Sequence, residues 1–235
     1  MKIYLTRHGH VDYSGADHGK GDIPLSGLGH IQAGLLGEAM KELGFGGPVF
    51  ASPYRRTMMT AQYAAEACKA DIYPDGALRE FFFSAQAALR FQGMTLWELQ
   101  KSCKSLAKDA SLPYPWWEPQ KDDYAGIVNR SREFWERILE QGHEEILAIC
   151  HDASVLGAVN FFNHRYQMGF PRDFQGLVDY MMDKDLNCGL SCLEIDERGA
   201  LASARFFMTQ HLPEGHLTAN GSRMRRPDVV RVFGI

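Results

Sequence analysis

The sequence predicts an α/β fold: a three-layer α/β/α sandwich around a mostly parallel sheet. Three observations point there. Short β-rich runs alternate with amphipathic helical ones along most of the chain. The 235 residues suit one large domain, residues 1–235, better than two equal ones. No internal repeat or low-complexity tract interrupts the alternation.

Residues 2–6 read as a short buried strand, and residues 10–25, rich in Gly, Asp and His, as a loop without periodicity. Ser26 is expected to cap a helix to about Leu43, with Ile31, Leu35, Leu36, Met40 and Leu43 as its apolar stripe. Gly44, Gly46 and Gly47 stop it, and residues 48–51 form a second strand. Ser52 is expected to cap a second helix through about Cys68, with Pro53 at the first helical position. Residues 71–74 form a third strand, followed by Leu78-Arg79-Glu80.

The stretch 81–121 differs in character. Phe81, Phe82, Phe83, Phe91, Trp97, Tyr114, Trp116 and Trp117 accompany one helix near 95–108 and a segment bracketed by Pro113 and Pro119. It reads as a helical, aromatic cap inserted after the third strand, its rings forming a small core of their own or a ligand wall. A long amphipathic helix is expected at 123–141, a buried strand at 145–150 and a helix at about 153–162. A helical or irregular piece reaches Lys184, and 190–196 with 201–208 form a hairpin turned at Glu197-Arg198-Gly199. Residues 213–235 are a tail whose Arg223, Arg225, Arg226 and Arg231 are solvated, loosely docked or an anion site.

In open α/β sheets, ligands bind beyond the carboxyl ends of the strands. Arg7 and His8 end the first strand, Ser52 and Arg56 follow the second, Glu80 follows the third, and His151 ends the 145–150 strand. This set suits phosphoryl transfer. Guanidinium forks on Arg7 and Arg56 hold a dianionic phosphate, and neutral His8 is a nucleophile toward phosphorus. His151 adds a donor to the phosphate oxygens, and Glu80 protonates the leaving oxygen. The scheme needs neither metal nor other cofactor, and no carboxylate cage for magnesium is visible.

A balance of 29 acids against 25 bases, net −4, gives no sign of a nucleic-acid partner, and no apolar run approaches a membrane span. Five cysteines without metal-ligand spacing, and a start without a signal-peptide core, suggest a reduced, cytoplasmic protein. Oligomeric state is left open. The expected partner is a small phosphorylated substrate.

In these segments the chain resembles the histidine phosphatase superfamily, also called phosphoglycerate-mutase-like. The matching residues are Leu5-Thr6-Arg7-His8-Gly9, then Pro24-Leu25-Ser26 with Gly29, Gln32 and Ala33. They continue with Ser52-Pro53-Tyr54-Arg55-Arg56-Thr57-Met58-Met59-Thr60-Ala61, Leu78-Arg79-Glu80 and Ile149-Cys150-His151. Asn187-Cys188 and His211-Leu212 resemble the family's closing pattern. The resemblance implies a metal-independent phosphatase working through a phosphohistidine on His8. It also implies that Arg56, not Arg55, is the phosphate ligand.

Departures fall at Asp152-Ala153-Ser154, where the family has small glycines, and at Phe81-Phe82-Phe83-Ser84, where a Gly-x-Trp-Glu-Gly run is common. His10 replaces the acidic residue that often follows Arg-His-Gly, and the landmarks of the glycolytic mutases are missing. A phosphomonoesterase for a small metabolite is therefore the leading expectation. The alternatives are a mutase that returns the phosphoryl group, or a binding protein that keeps the pocket without turnover. Asp152 reads as a helix N-cap, and His10 and His18 as loop residues that are solvated or touch substrate.

Overall fold

The computed structural model describes residues 1–14, 21–118, 121–181 and 184–218, excepting the side chain of Phe174. His18, Pro119 and the arginines of the tail lie outside the described residues.

Six strands form one sheet in the order β3-β2-β4-β1-β5-β6. They are β1 (Lys2–Arg7), β2 (Val49–Ala51), β3 (Ile72–Pro74), β4 (Glu145–Cys150), β5 (Leu190–Ile195) and β6 (Leu201–Met208). The first four are mutually parallel, with β1 beside β4 and β2 between β4 and β3. An antiparallel hairpin, β5 and β6, completes the other edge.

Side chains alternate between two cores, as the period of a strand requires. Tyr4, Leu147, Ile149, Leu190 and Cys192 face one side. Ile3, Leu5, Ile146, Ala148, Cys150, Leu193 and Ile195 face the other. The first core is closed by α1 (Gly27–Glu42) and α2 (Arg55–Cys68), the second by α5 (Tyr124–Gln141), α6 (Asp152–Tyr166) and α7 (Phe174–Met181). The result is the three-layer sandwich with a mostly parallel sheet.

Helix starts separate what is local from what is not. Ser26 accepts the Gly29 N–H at 3.1 Å and caps α1. Ser52, expected to cap the second helix, does not. Its backbone N–H continues the sheet edge to Ile149, its hydroxyl is held by His151, and α2 begins only at Arg55 after an extended Tyr54. Asp152, expected as the cap of the following helix, is instead its first helical residue. His151 is the cap residue, without a side-chain capping bond, and the Asp152 carboxylate lies 3.5 Å from Arg7 Nη1. The buried guanidinium of Arg7 is thus one partner of this carboxylate.

The segment 81–121 holds α3 (Ala85–Arg90) and α4 (Leu96–Ser102), the latter with a complete Thr95/Glu98 capping box. The helix expected near 95–108 is thus seven residues long, because Cys103 turns out into an extended conformation. Its aromatics do not make a core of their own. Phe82, Phe91 and Trp116 belong to the core that α1 and α2 close, and Phe91 and Trp116 meet Tyr54 at ring-centroid distances of 4.5 and 5.4 Å. No described helix is long and apolar enough to cross a membrane.

Candidate active site

The loop leaving β1 is drawn tightly onto α1. A Cβ on Gly9 would sit 2.6 Å from the Gly29 carbonyl oxygen, and one on Gly29 would sit 2.0 Å from that of His10. Neither position admits a side chain, since no backbone can yield that far. The His10 N–H donates to Gln32, Gly9 N–H to Thr60, and Asn187 Nδ2 to the His8 carbonyl at 2.7 Å. The backbone from His8 to His10 is therefore fixed by bonds to α1, α2 and the segment before β5.

The His8 ring is fixed as well. Nδ1 lies 2.7 Å from the Gly9 carbonyl, which can only accept, so Nδ1 carries the proton. Nε2 then has the lone pair, and Arg56 Nε donates to it at 3.1 Å. Burial pushes the His8 imidazole well below its ordinary pKa, and the charges of Arg56 and Arg7 push the same way. It is a neutral base with its nucleophilic nitrogen beside a cation.

His151 lies against it, ring centroids 5.1 Å apart. Its Nε2 is 2.9 Å from the Ser52 hydroxyl, and its Nδ1 is 3.7 Å from Glu80 Oε2. Burial, then Arg56 and His8, hold this imidazole neutral too. The Glu80 carboxyl stands 3.8 Å from Arg56 and accepts the Phe81 N–H. Burial raises its pKa, outweighing the opposing pull of Arg56 and Phe81 N–H, and nearby Asp152 adds to the rise. The site thus pairs a weakened imidazole base with a strengthened proton holder.

Arg7 is fully buried. It gives one N–H to the Asp185 carbonyl and faces Asp152, while its Nε and Nη2, like His151 Nδ1, have no hydrogen-bond partner among the described residues. Burial alone would weaken its hold on the proton, but Asp152, Asp185 and Glu80 reverse that and raise its pKa. Each unmet buried donor costs about 1–3 kcal/mol, so the two on Arg7 make this a place suited to an anion.

Arg7, His8, Arg56, Glu80 and His151 are accordingly brought together at the carboxyl ends of β1, β2, β3 and β4. The backbone N–H of Arg55 is bonded to Asp22. His10 is tied by Nδ1 to Ser26. The sequence reading missed Tyr54 as a site residue. Its ring lies under the Arg56 guanidinium at 4.4 Å and against His151 at 4.8 Å, so it is the site's apolar wall. The signal was an aromatic two residues from the arginine, hidden by reading the segment as helix.

His8, Glu80 and His151 place ligand atoms within 4.8 Å of one another and could in principle hold a metal ion. The chemistry of the set speaks against it. Two histidines and one carboxylate suit a transition metal, but the charges of Arg56 and Arg7, which already act on the His8 imidazole, would repel a dication.

Residues 3–203 match the model of the histidine phosphatase superfamily, branch 1. "Probable phosphoglycerate mutase GpmB" of Serratia proteamaculans is 27% identical over 180 residues, covering 72% of this chain and 80% of that protein. Its namesake from Proteus mirabilis is 35% identical over 82 residues, only 38% of its own length. Among solved structures, the ecdysone phosphate phosphatase of Bombix mori in complex with tungstate superposes with a TM-score of 0.61 at 20% identity, over 86% of this chain and 92% of that one. YhfR of Bacillus stearothermophilus gives 0.59 at 18% identity, over 90% and 99%. A phosphoserine phosphatase of Entamoeba histolytica, in complex with 3-phosphoglyceric acid, gives 0.53 at 20%, over 90% and 99%. At these identities the superpositions establish the fold.

Proposed function

The chain belongs to the histidine phosphatase superfamily, and from that premise we propose that it is a metal-independent phosphomonoester hydrolase working through a phosphohistidine on His8. The observation that carries this reading is the His8 tautomer: a lone pair on Nε2, fixed by the Nδ1 contact to Gly9 and flanked by buried, underused cationic donors.

Arg7, Arg56 and His151 Nδ1 hold the non-bridging phosphate oxygens. Nε2 of His8 attacks phosphorus in line as the P–O ester bond breaks, and Glu80 gives its proton to the departing oxygen. The Glu80 carboxylate then takes a proton from water. That water oxygen attacks phosphorus, the P–N bond breaks, and inorganic phosphate leaves with the His8 lone pair restored. The pKa directions fit these roles, since a neutral imidazole and a protonated carboxyl coexist only if each is displaced toward the other. Tyr54, backed by Phe91 and Trp116 of the segment 81–121, offers an apolar wall to a leaving group with carbon surface, so this segment is read as a substrate-selecting cap.

Rapid quench with labelled phenyl phosphate and peptide mapping tests the reading. Label should be acid-labile, base-stable and on His8, and turnover should persist in chelator. Label on a serine or cysteine would sink it. The names of the curated relatives favour a second reading, a mutase that hands the phosphoryl group back to a phosphoglycerate. Phosphoenzyme chased with 3-phosphoglycerate separates the two: transfer to the acid supports the mutase, and release to water supports the hydrolase.

A further inference from the structure

Next to the site lies a second buried ionic cluster that the mechanism does not use. Arg79 grips Asp122 with both ends of its fork, Nη1 to Oδ2 at 2.5 Å and Nη2 to Oδ1 at 2.6 Å. Arg130 from α5 donates to Oδ1 at 3.0 Å, and the Phe82 N–H donates to Oδ2 at 2.8 Å. Four donors thus meet the four acceptor positions of one carboxylate. Burial alone would raise the pKa of Asp122, but the bonds from Arg79 and the charge of Arg130 win and lower it. The Arg79 and Asp122 side chains are 7% and 6% exposed.

What these bonds enclose is Glu80. Arg79 Nη1 also donates to the Glu80 carbonyl at 3.0 Å, and the Ser154 hydroxyl lies 2.9 Å from the carbonyls of both Leu78 and Arg79. Arg130 Nη2 reaches the Arg79 carbonyl at 3.4 Å. Asp122 N–H returns a bond to the Phe82 carbonyl, so residues 82 and 122 close the root of the intervening segment from both sides. The backbone is therefore held immediately before and after Glu80. Among the described residues its carboxyl, by contrast, has no strong side-chain anchor: Arg56 and His151 stand at 3.8 and 3.7 Å, and its one close bond is to the adjacent Phe81 N–H. The position of this carboxyl is set by its backbone, and the backbone by Asp122.

We infer that Asp122, with Arg79 and Arg130, is a positioning residue for the proton donor of the reaction, acting through the main chain around Glu80 without touching substrate. The inference rests on the role proposed above for Glu80. A displacement of about 1 Å in a catalytic group can cost on the order of 10²-fold in rate, and the loss should fall on the step that needs the proton.

The experiment compares kcat/KM for phenyl phosphate, whose leaving phenolate needs a proton, with 2,4-dinitrophenyl phosphate, whose leaving group does not. Asp122→Asn should lose about 10²-fold on the first ester and less than about threefold on the second. Arg130→Gln, which leaves the Arg79 fork intact, should show a weaker loss with the same bias, and it decides the matter if Asp122→Asn does not fold. In a Glu80→Gln background neither change should add bias, because the misplaced proton is already gone. Equal losses on both esters in Asp122→Asn and Arg130→Gln, with Glu80→Gln itself biased, would overturn the inference and leave the reading of Glu80 standing. An unbiased Glu80→Gln would overturn that reading, and the inference with it.

Discussion

Two buried clusters, each built on arginine, adjoin at the consecutive residues Arg79 and Glu80, and they are finished differently. Around Asp122 every acceptor of the carboxylate is met, and the arms of Arg79 and Arg130 end on oxygen. Around His8 the polar groups are as deeply buried, yet Arg7 Nε, Arg7 Nη2 and His151 Nδ1 end on nothing among the described residues. A cluster that closes its own bonds supplies rigidity; one that leaves donors unmet at a cost of about 1–3 kcal/mol each is reserved for a guest. The contrast predicts opposite responses to the same chemical change.

The largest effect belongs to the open cluster. His8→Ala should abolish turnover, by about 10³-fold or more if the residue is the nucleophile, while the protein keeps its fold. The measurement is phenyl phosphate hydrolysis alongside the melting temperature. Turnover surviving in a folded His8→Ala protein would remove the phosphohistidine.

Arginine-to-lysine changes test the comparison directly. Arg56→Lys should lose on the order of 10²-fold in kcat/KM, because a point charge cannot replace a fork on the phosphate, and stability should move by less than about 1 kcal/mol. Arg79→Lys should do the reverse in stability, costing about 2–4 kcal/mol by breaking a bidentate buried pair. Denaturant melts of both variants would settle it. Equal stability losses would mean the two clusters are not distinct in kind.

The pattern of strand ends made the location of the open cluster legible, since Arg7, His8 and His151 each follow an apolar run whose period is local. Ser26 was legible for the same reason: its partner is three residues away. The closed cluster was not. Asp122 meets Arg79 across 43 positions, and nothing in its neighbourhood distinguishes it from Asp123, which caps α5. Ser52 had a local role available and was drawn off it by a buried partner, His151, while Asp152 falls inside the helix it was expected to precede, 3.5 Å from buried Arg7. Tyr54 and Asn187 are likewise defined by what they touch across the sheet. Tertiary partners, invisible to periodicity, decide such residues.

Proton linkage gives a smaller, graded test of the open cluster. Both site histidines are held neutral by burial and by the arginines, with folded pKa values below the ordinary 6.5. As pH falls through 6.5 the unfolded chain takes up protons that the folded chain refuses. The stability these groups contribute is present above 6.5 and lost below it, at up to about 1.4 kcal/mol per pH unit for each group. Glu80, displaced upward, has the opposite sign: its contribution is present in acid and lost as pH rises through its folded value. Melts between pH 7.5 and 5.5 in phosphate-free buffer should therefore show a decline that His8→Ala makes shallower. A slope unchanged in the variant would mean that His8 is already protonated in the fold.

The smallest effect is expected at Asp152, where the open cluster is partly filled by the protein itself. Its carboxylate offsets the charge of Arg7 from 3.5 Å, but its side chain is 44% exposed, so water screens the pair. Asp152→Asn removes the charge and keeps the shape. Stability should fall by less than about 1 kcal/mol, the scale of an exposed ion pair and a first-turn acid together. Inorganic phosphate should bind a fewfold more tightly, because Arg7 no longer shares its charge. The carboxylate also raises the pKa of Glu80, so its loss lets that pKa fall. On the proposed role of Glu80 as proton donor to the ester oxygen, the high-pH limb of kcat/KM should move to lower pH. Tighter phosphate binding with an unmoved limb would assign Asp152 to the anion site alone, and a loss of turnover at every pH would make it part of the reacting set.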